Sequence, residues 1–163
     1  MSGLIRTPSQ TVGPFYAIGL DRRPENALVD PDAPGALRVV GRLLDGAGDP
    51  ISDGLIELWS ATAGAWGRCG TSEDGSFWFV LAKPPAGPGE APRYDVFVHA
   101  RGLLRHQLTR LYFPDEPGAN VSDPVLSGLA EADRATLVAE QADGGLRFDV
   151  RMQGDRQTVF FEH

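Results

Sequence analysis

Three Asp-Gly dipeptides, Asp45-Gly46, Asp53-Gly54 and Asp74-Gly75, punctuate a series of short β-branched or aromatic runs. Short runs between tight-turn residues specify strands that fold back on one another, which predicts an antiparallel sandwich rather than a helical or α/β chain. The runs are Leu37–Leu44, Leu55–Trp59, Phe77–Leu81, Tyr94–Ala100 and Gln107–Phe113, followed by Leu146–Met152 and Thr158–Phe161. Twenty glycines and thirteen prolines without a repeat period agree with many turns and few long helices. Only Leu129–Ala139, apolar at 129, 132, 135, 138 and 139, carries helical spacing, which predicts one short amphipathic helix. Residues 1–36 hold prolines at 8, 14, 24, 31 and 34 and too little apolar content for a core. The expected fold is all-β: one domain of 163 residues, with an extended N-terminal arm (1–36) and a two-sheet antiparallel sandwich (37–163).

Charge narrows the function classes. A net charge of -7 repels phosphate backbones, so nucleic acid is not an expected partner. The longest apolar run, Phe77–Ala82, is too short to span a bilayer, and Met1–Arg6 has no apolar signal-peptide core. Cys69 is the sole cysteine, which excludes an intramolecular disulfide and suits a reducing compartment; the expected location is the cytoplasm. Arg93, Arg101, Arg105 and Arg110 recur in one stretch. They could attract a small anion, although solvated strand and loop residues are the simpler reading.

The candidate metal ligands are Tyr16, Tyr94, Tyr112, His99, His106 and His163. Tyr94 and His99 are an odd number of residues apart on one predicted strand and so face opposite ways. His106 and Tyr112 share a face but stand about 20 Å apart if extended. Neither pair chelates. Trp59, Trp66 and Trp78 raise a second possibility, a stacking platform in a carbohydrate- or protein-binding module; Trp59 and Trp78, in apolar strands, are expected in the core. In the arm, Thr11-Val12-Gly13-Pro14-Phe15 combines a hydroxyl, a glycine that allows close approach, a rigid proline and an aromatic ring. From the residues alone, a strap on its own sandwich is the simpler reading. Arg110 can fork onto a ligand carboxylate or form an ion pair with Asp115 or Glu116.

Two segments, Thr7–Tyr16 and Thr109-Arg110-Leu111-Tyr112-Phe113, resemble the α subunits of protocatechuate 3,4-dioxygenases, members of the intradiol ring-cleavage dioxygenases. Gly41–Gly46, Leu55–Trp59, Ala100–Gly102, Arg147–Gly154 and Thr158–Phe161 extend the resemblance over most of the chain. It implies cleavage of protocatechuate by O2 to 3-carboxy-cis,cis-muconate, with Fe(3+) held by a β subunit through two tyrosines and two histidines. At the corresponding places this chain reads Arg93-Tyr94-Asp95 and, in Ala63–Gly67 and Lys83–Pro92, no tyrosine. The resemblance therefore implies no metal ligand here and a substrate-binding role for Thr11, Gly13, Pro14, Phe15 and Arg110. Phe15 stands where the family carries tyrosine. The remaining alternative within the enzymes is a self-sufficient dioxygenase with ligands unlike the family's.

Overall fold

The computed structural model describes residues 6–13, 15–20 and 25–162. Its strands, in chain order, are β1 (Ala36–Leu44), β2 (Leu55–Ser60), β3 (Ala65–Gly70), β4 (Ser76–Ala82), β5 (Arg93–His99), β6 (Gln107–Tyr112), β7 (Glu140–Ala142), β8 (Gly145–Arg147) and β9 (Val150–Arg151). Three short helices accompany them: α1 (Tyr16–Leu20), α2 (Pro117–Ser122) and α3 (Glu131–Ala135).

Two sheets face each other. One runs β4-β1-β8-β7, with β9 also on β1; the other runs β3-β2-β5-β6. Alternation along β5 shows how the layers form: Tyr94, Val96 and Val98 are buried, whereas Arg93, Asp95, Phe97 and His99 face outward. Their inward partners are Val39 and Leu43 of β1, Ile56 and Leu58 of β2, Phe77, Phe79 and Leu81 of β4, and Leu111 of β6. A second, smaller cluster of Ala91, Tyr112, Leu126 and Leu137 fills the space under the helical excursion between β6 and β7.

The three Asp-Gly turns at 45, 53 and 74 lie on crossings between the sheets: two on the β1–β2 connection and one on β3–β4. The hairpins are β2–β3, β5–β6 and β7–β8, the last closed by a further Asp-Gly, Asp143-Gly144. The C-terminal run Leu146–Met152 does not form one strand. Its two pieces, β8 and β9, pair parallel with β1 and are interrupted at Phe148-Asp149, where the Asp149 carboxylate accepts the Arg42 N–H at 3.0 Å in place of a backbone carbonyl. Leu129–Ala139 is helical only over Glu131–Ala135, and Thr158–Phe161 contributes a single bridge, Leu108 to Phe161. Residues 25–28 join both sheets, Glu25 bridging Arg68 and Ala27 bridging Val80. No helix among the described residues is long and apolar enough to cross a membrane.

Candidate functional site

The outward face of the β3-β2-β5-β6 sheet carries most of the residues singled out by sequence. Arg110 sits on β6 directly opposite Asp95 on β5. Its Nε is 3.4 Å from Asp95 Oδ1, its Nη1 donates to the Tyr112 hydroxyl at 3.4 Å, and its guanidinium stacks over the Phe161 ring at 5.1 Å. Asp95 is shared, because Arg93 Nη1 donates to the same oxygen at 3.1 Å while Arg93 Nη2 grips Glu90. Arg110 Nε is buried yet finds no hydrogen-bond acceptor. A guanidinium offers five N–H donors, so most of this fork is unspent among the described residues.

The sequence-based partners of Arg110 are corrected here. Asp115 and Glu116 both accept from Lys83 Nζ, at 2.7 and 2.6 Å, and leave Arg110 to Asp95. Arg93, Arg101 and Arg110 each face a carboxylate, Arg101 pairing with Asp53. The field of the basic stretch is largely neutralised.

At the other end of the same face lies the arm. Thr11 Oγ1 accepts the Gly102 N–H at 2.7 Å and donates to the Val12 carbonyl at 3.2 Å. Gln10 and Val12 line a cavity of about 470 Å³ with His99, Leu103, Leu104 and His106. Gly13 is exposed, and an added Cβ would meet nothing within 4 Å. Phe15 is 76% exposed. Pro14 lies outside the described residues, as does His163. His106 and Arg110 are four positions apart, roughly 13 Å of strand. The arm and Arg110 therefore flank one face without touching, with Phe97 and Leu108 between them.

Several residues escaped the sequence reading. His99 and His106 come together across the β5–β6 hairpin with ring centroids 5.5 Å apart, and His99 Nε2 lies 3.4 Å from Glu57 Oε2. Glu57 accepts from Arg68 Nε at 2.8 Å. Hairpin pairing of 99 with 106 was the signal that could have found the histidine pair. Trp59 and Trp78, expected in the core, are 39% and 37% exposed. Each occupies the outward phase of its strand, beside inward Leu58 or between inward Phe77 and Phe79. Trp59 pairs across strands with Trp66, itself 41% exposed, while Arg38 covers Trp78 and Arg68 covers Trp66.

The donors do not fit a ferric ion, which favours anionic oxygen. With no metal beside them, burial pushes Tyr16, Tyr94 and Tyr112 up to about 12 each, so the phenols are protonated at neutral pH. Each hydroxyl is also engaged: Tyr16 with backbone carbonyls, Tyr94 with the Ala82 carbonyl at 2.9 Å, and Tyr112 with Asp123 at 3.2 Å. Among the described residues no three His, Cys, Asp or Glu side chains gather as a metal-binding group.

Comparison with known proteins places these features. No family model matches the chain. It is 38% identical to the protocatechuate 3,4-dioxygenase alpha chain of Burkholderia cepacia, covering 99% of this chain and 100% of that one. The alignment runs over 196 positions against 163 residues here, so the relative holds segments this chain lacks. The beta chain from the same organism is 29% identical over 71% of this chain and 63% of its own. Among solved structures, the dioxygenase domain of a dioxygenase–carbohydrate-binding protein fusion from Streptomyces sp. SirexAA-E superposes with a TM-score of 0.64 at 29% identity, covering 91% of this chain and 98% of that one.

Proposed function

Because the chain belongs to the protocatechuate 3,4-dioxygenase alpha-chain family, we propose that it is the α subunit of an intradiol dioxygenase that opens protocatechuate with O2 to give 3-carboxy-cis,cis-muconate. In this reading Fe(3+) belongs to the β subunit, since the donors described in this chain do not fit the ion. The α chain supplies one wall of the substrate pocket through Thr11, Gly13, Pro14, Phe15 and Arg110. The two units proposed from sequence then have distinct work: the arm, residues 1–36, reaches the partner, and the sandwich, residues 37–163, supports it. An enzyme of this class acting on a soluble catechol carboxylate suits the cytoplasm.

One observation carries the reading. A buried Nε without an acceptor and an exposed, unobstructed Gly13 lie on the same sheet face, each with capacity that the chain itself does not use. A carboxylate brought by a substrate at the subunit boundary would take up the guanidinium fork. The Gly13 backbone would allow a ring to approach closely. Thr11 contributes less freely, because its hydroxyl already bridges Gly102 and Val12. The relatives are dioxygenase chains, and the binding-module reading of the tryptophans falls behind them.

The test is co-purification with the β subunit from the source organism, followed by kinetics at matched iron content. The complex should turn over protocatechuate, and deletion of residues 2–16 should abolish or severely reduce that turnover. Equal kcat/KM for intact and truncated complexes would withdraw the arm residues from the pocket.

A further inference from the structure

We propose that Tyr16 is a positioning residue that fixes the pocket-facing segment of the arm, through its hydroxyl and the strand-end carbonyls of Asp53 and His99. The inference rests on the reading of the arm as a pocket wall. It concerns a residue that this reading leaves without a role.

The geometry is specific. The Tyr16 hydroxyl is 2.6 Å from the Asp53 carbonyl oxygen and 2.9 Å from that of His99, positions 37 and 83 residues away in sequence. Asp53 precedes β2 and His99 ends β5, so one phenol ties α1 to two neighbouring strands. The Asp53–Arg101 ion pair stands beside it. Burial, and then the Asp53 charge, raise Tyr16 to about 12 against the opposing pull of Arg101, so the hydroxyl stays a proton donor throughout the neutral range. At the other end of the segment Thr11 Oγ1 takes the Gly102 N–H. Both anchors therefore fall on the start of the β5–β6 connection, one at 99 and one at 102. Between them the chain turns, with Tyr16 N donating to the Gly13 carbonyl at 3.3 Å.

A segment held at both ends presents its middle. Val12, Gly13 and Phe15 lie between the anchors, Gly13 and Phe15 exposed. An arm ordered by its own chain does not have to lose its conformational freedom when substrate or partner arrives, and that pre-ordering favours binding. Removing the Tyr16 hydroxyl frees one end of the segment while the ring still covers the strand ends. The positioning role thus separates from simple packing.

The experiment is Tyr16→Phe in the assembled α–β enzyme, compared with wild type at equal iron content. Two readouts are needed: hydrogen exchange of peptides spanning residues 6–20, and steady-state kinetics on protocatechuate. The expected result is roughly five- to tenfold faster exchange confined to the arm, the scale of one lost hydrogen bond. It is accompanied by a rise in KM of similar size, with sandwich peptides and melting temperature unchanged. Unchanged exchange in the arm would overturn the clamp. Faster exchange with unchanged KM and kcat would overturn the positioning role. Gly13→Val in the same enzyme tests the underlying reading separately: an added Cβ meets nothing among the described residues within 4 Å, so a rise in KM with arm exchange unchanged reports what lies opposite. If Gly13→Val has no effect while Tyr16→Phe loosens the arm, the pocket-wall reading fails and the clamp stands only as a strap.

Discussion

Arg110→Ala is the substitution whose outcome the geometry constrains most tightly. The guanidinium has three neighbours that could make its loss structural: Asp95, Phe161 and the Tyr112 hydroxyl, which keeps its bond to Asp123. Asp95 keeps Arg93 Nη1 at 3.1 Å, so no carboxylate is stranded; Phe161 loses a cation–π contact of about 0.5–1 kcal/mol. The Asp95 contact at 3.4 Å is not a hydrogen bond, and the side chain retains 20% exposure, so the ion pair adds only about 1 kcal/mol after screening. The fold should therefore survive with a cost of about 1–2 kcal/mol. Substrate binding should not. Hydrogen bonds to a charged group contribute about 1.5–3 kcal/mol each, and a bidentate pair shared with a standing Asp95 charge gives about 3 kcal/mol, on the order of 10²-fold in KM. Arg110→Lys should recover part of this, because an ammonium supplies charge but no fork. The assay is steady-state turnover of protocatechuate by the complex, with iron content and melting temperature measured on the same samples. A correctly assembled, iron-replete Arg110→Ala enzyme with unchanged KM would refute the reasoning and leave Arg110 as a structural partner of Asp95, Tyr112 and Phe161.

Other consequences follow from the fold and from the donor set. Asp123 accepts N–H groups from Ala91, Val125 and Leu126 and the Tyr112 hydroxyl, so Asp123→Ala should cost about 3–5 kcal/mol by chemical denaturation. Burial pushes that carboxyl up, but these donors outweigh it and hold it below the ordinary value of 3.8. The stability it contributes is present above that value and lost as pH falls through the lower folded value, so the melting-temperature gap between wild type and Asp123→Asn should narrow in acid. Gly41→Ala should destabilise by about 1–3 kcal/mol, because an added Cβ would run into the Phe148 carbonyl oxygen with Phe77 Cζ 2.6 Å away. The chain produced alone with iron supplied should be colourless and inactive towards protocatechuate, since each tyrosine hydroxyl is engaged within its own chain; a charge-transfer band from the single chain would show a phenolate ligand and refute this.

What was legible in the sequence followed the period of two. Tyr94, Val96 and Val98 alternate with Arg93, Asp95 and His99, interrupted only by Phe97, so both the strand and its inward face could be read directly. Where apolar residues run on, the phase is hidden: Phe77–Leu81 has no polar marker and Trp78 takes the outward phase, while in Leu55–Trp59 the marker was Glu57, whose outward phase Trp59 shares. The strand Ala65–Gly70 was not legible at all. It has no β-branched residue, and its strand form comes from full pairing with β2. Gly67 stays bare because Glu25 and Leu28 occupy the space a side chain would need. Leu146–Met152 failed for the converse reason, a good local pattern broken where the Asp149 side chain takes over a backbone acceptor's place.

The site shows the same division between local and non-local information. The resemblance marked Arg110 as a candidate carboxylate binder, and its resting partner could not be read from its neighbours in sequence. Asp115 and Glu116 are near along the chain and Asp95 is not; only the β5–β6 register brings Asp95 opposite, while Lys83, farther still, draws the two nearer carboxylates away. Tyr16 entered the sequence analysis only as a candidate metal ligand, because an arm expected to be extended offers it no contact. The helical turn that begins there instead swings its hydroxyl onto two strand ends. A site completed by another chain leaves a physical mark in each half: donors and backbone surface held in place yet left unused. In the site proposed for this chain those are the Arg110 fork and Gly13. They are held by Asp95, Phe161 and Tyr112 on one side and by Thr11 and Tyr16 on the other, so the supporting residues, rather than the pocket residues themselves, are where the structure adds most to the sequence.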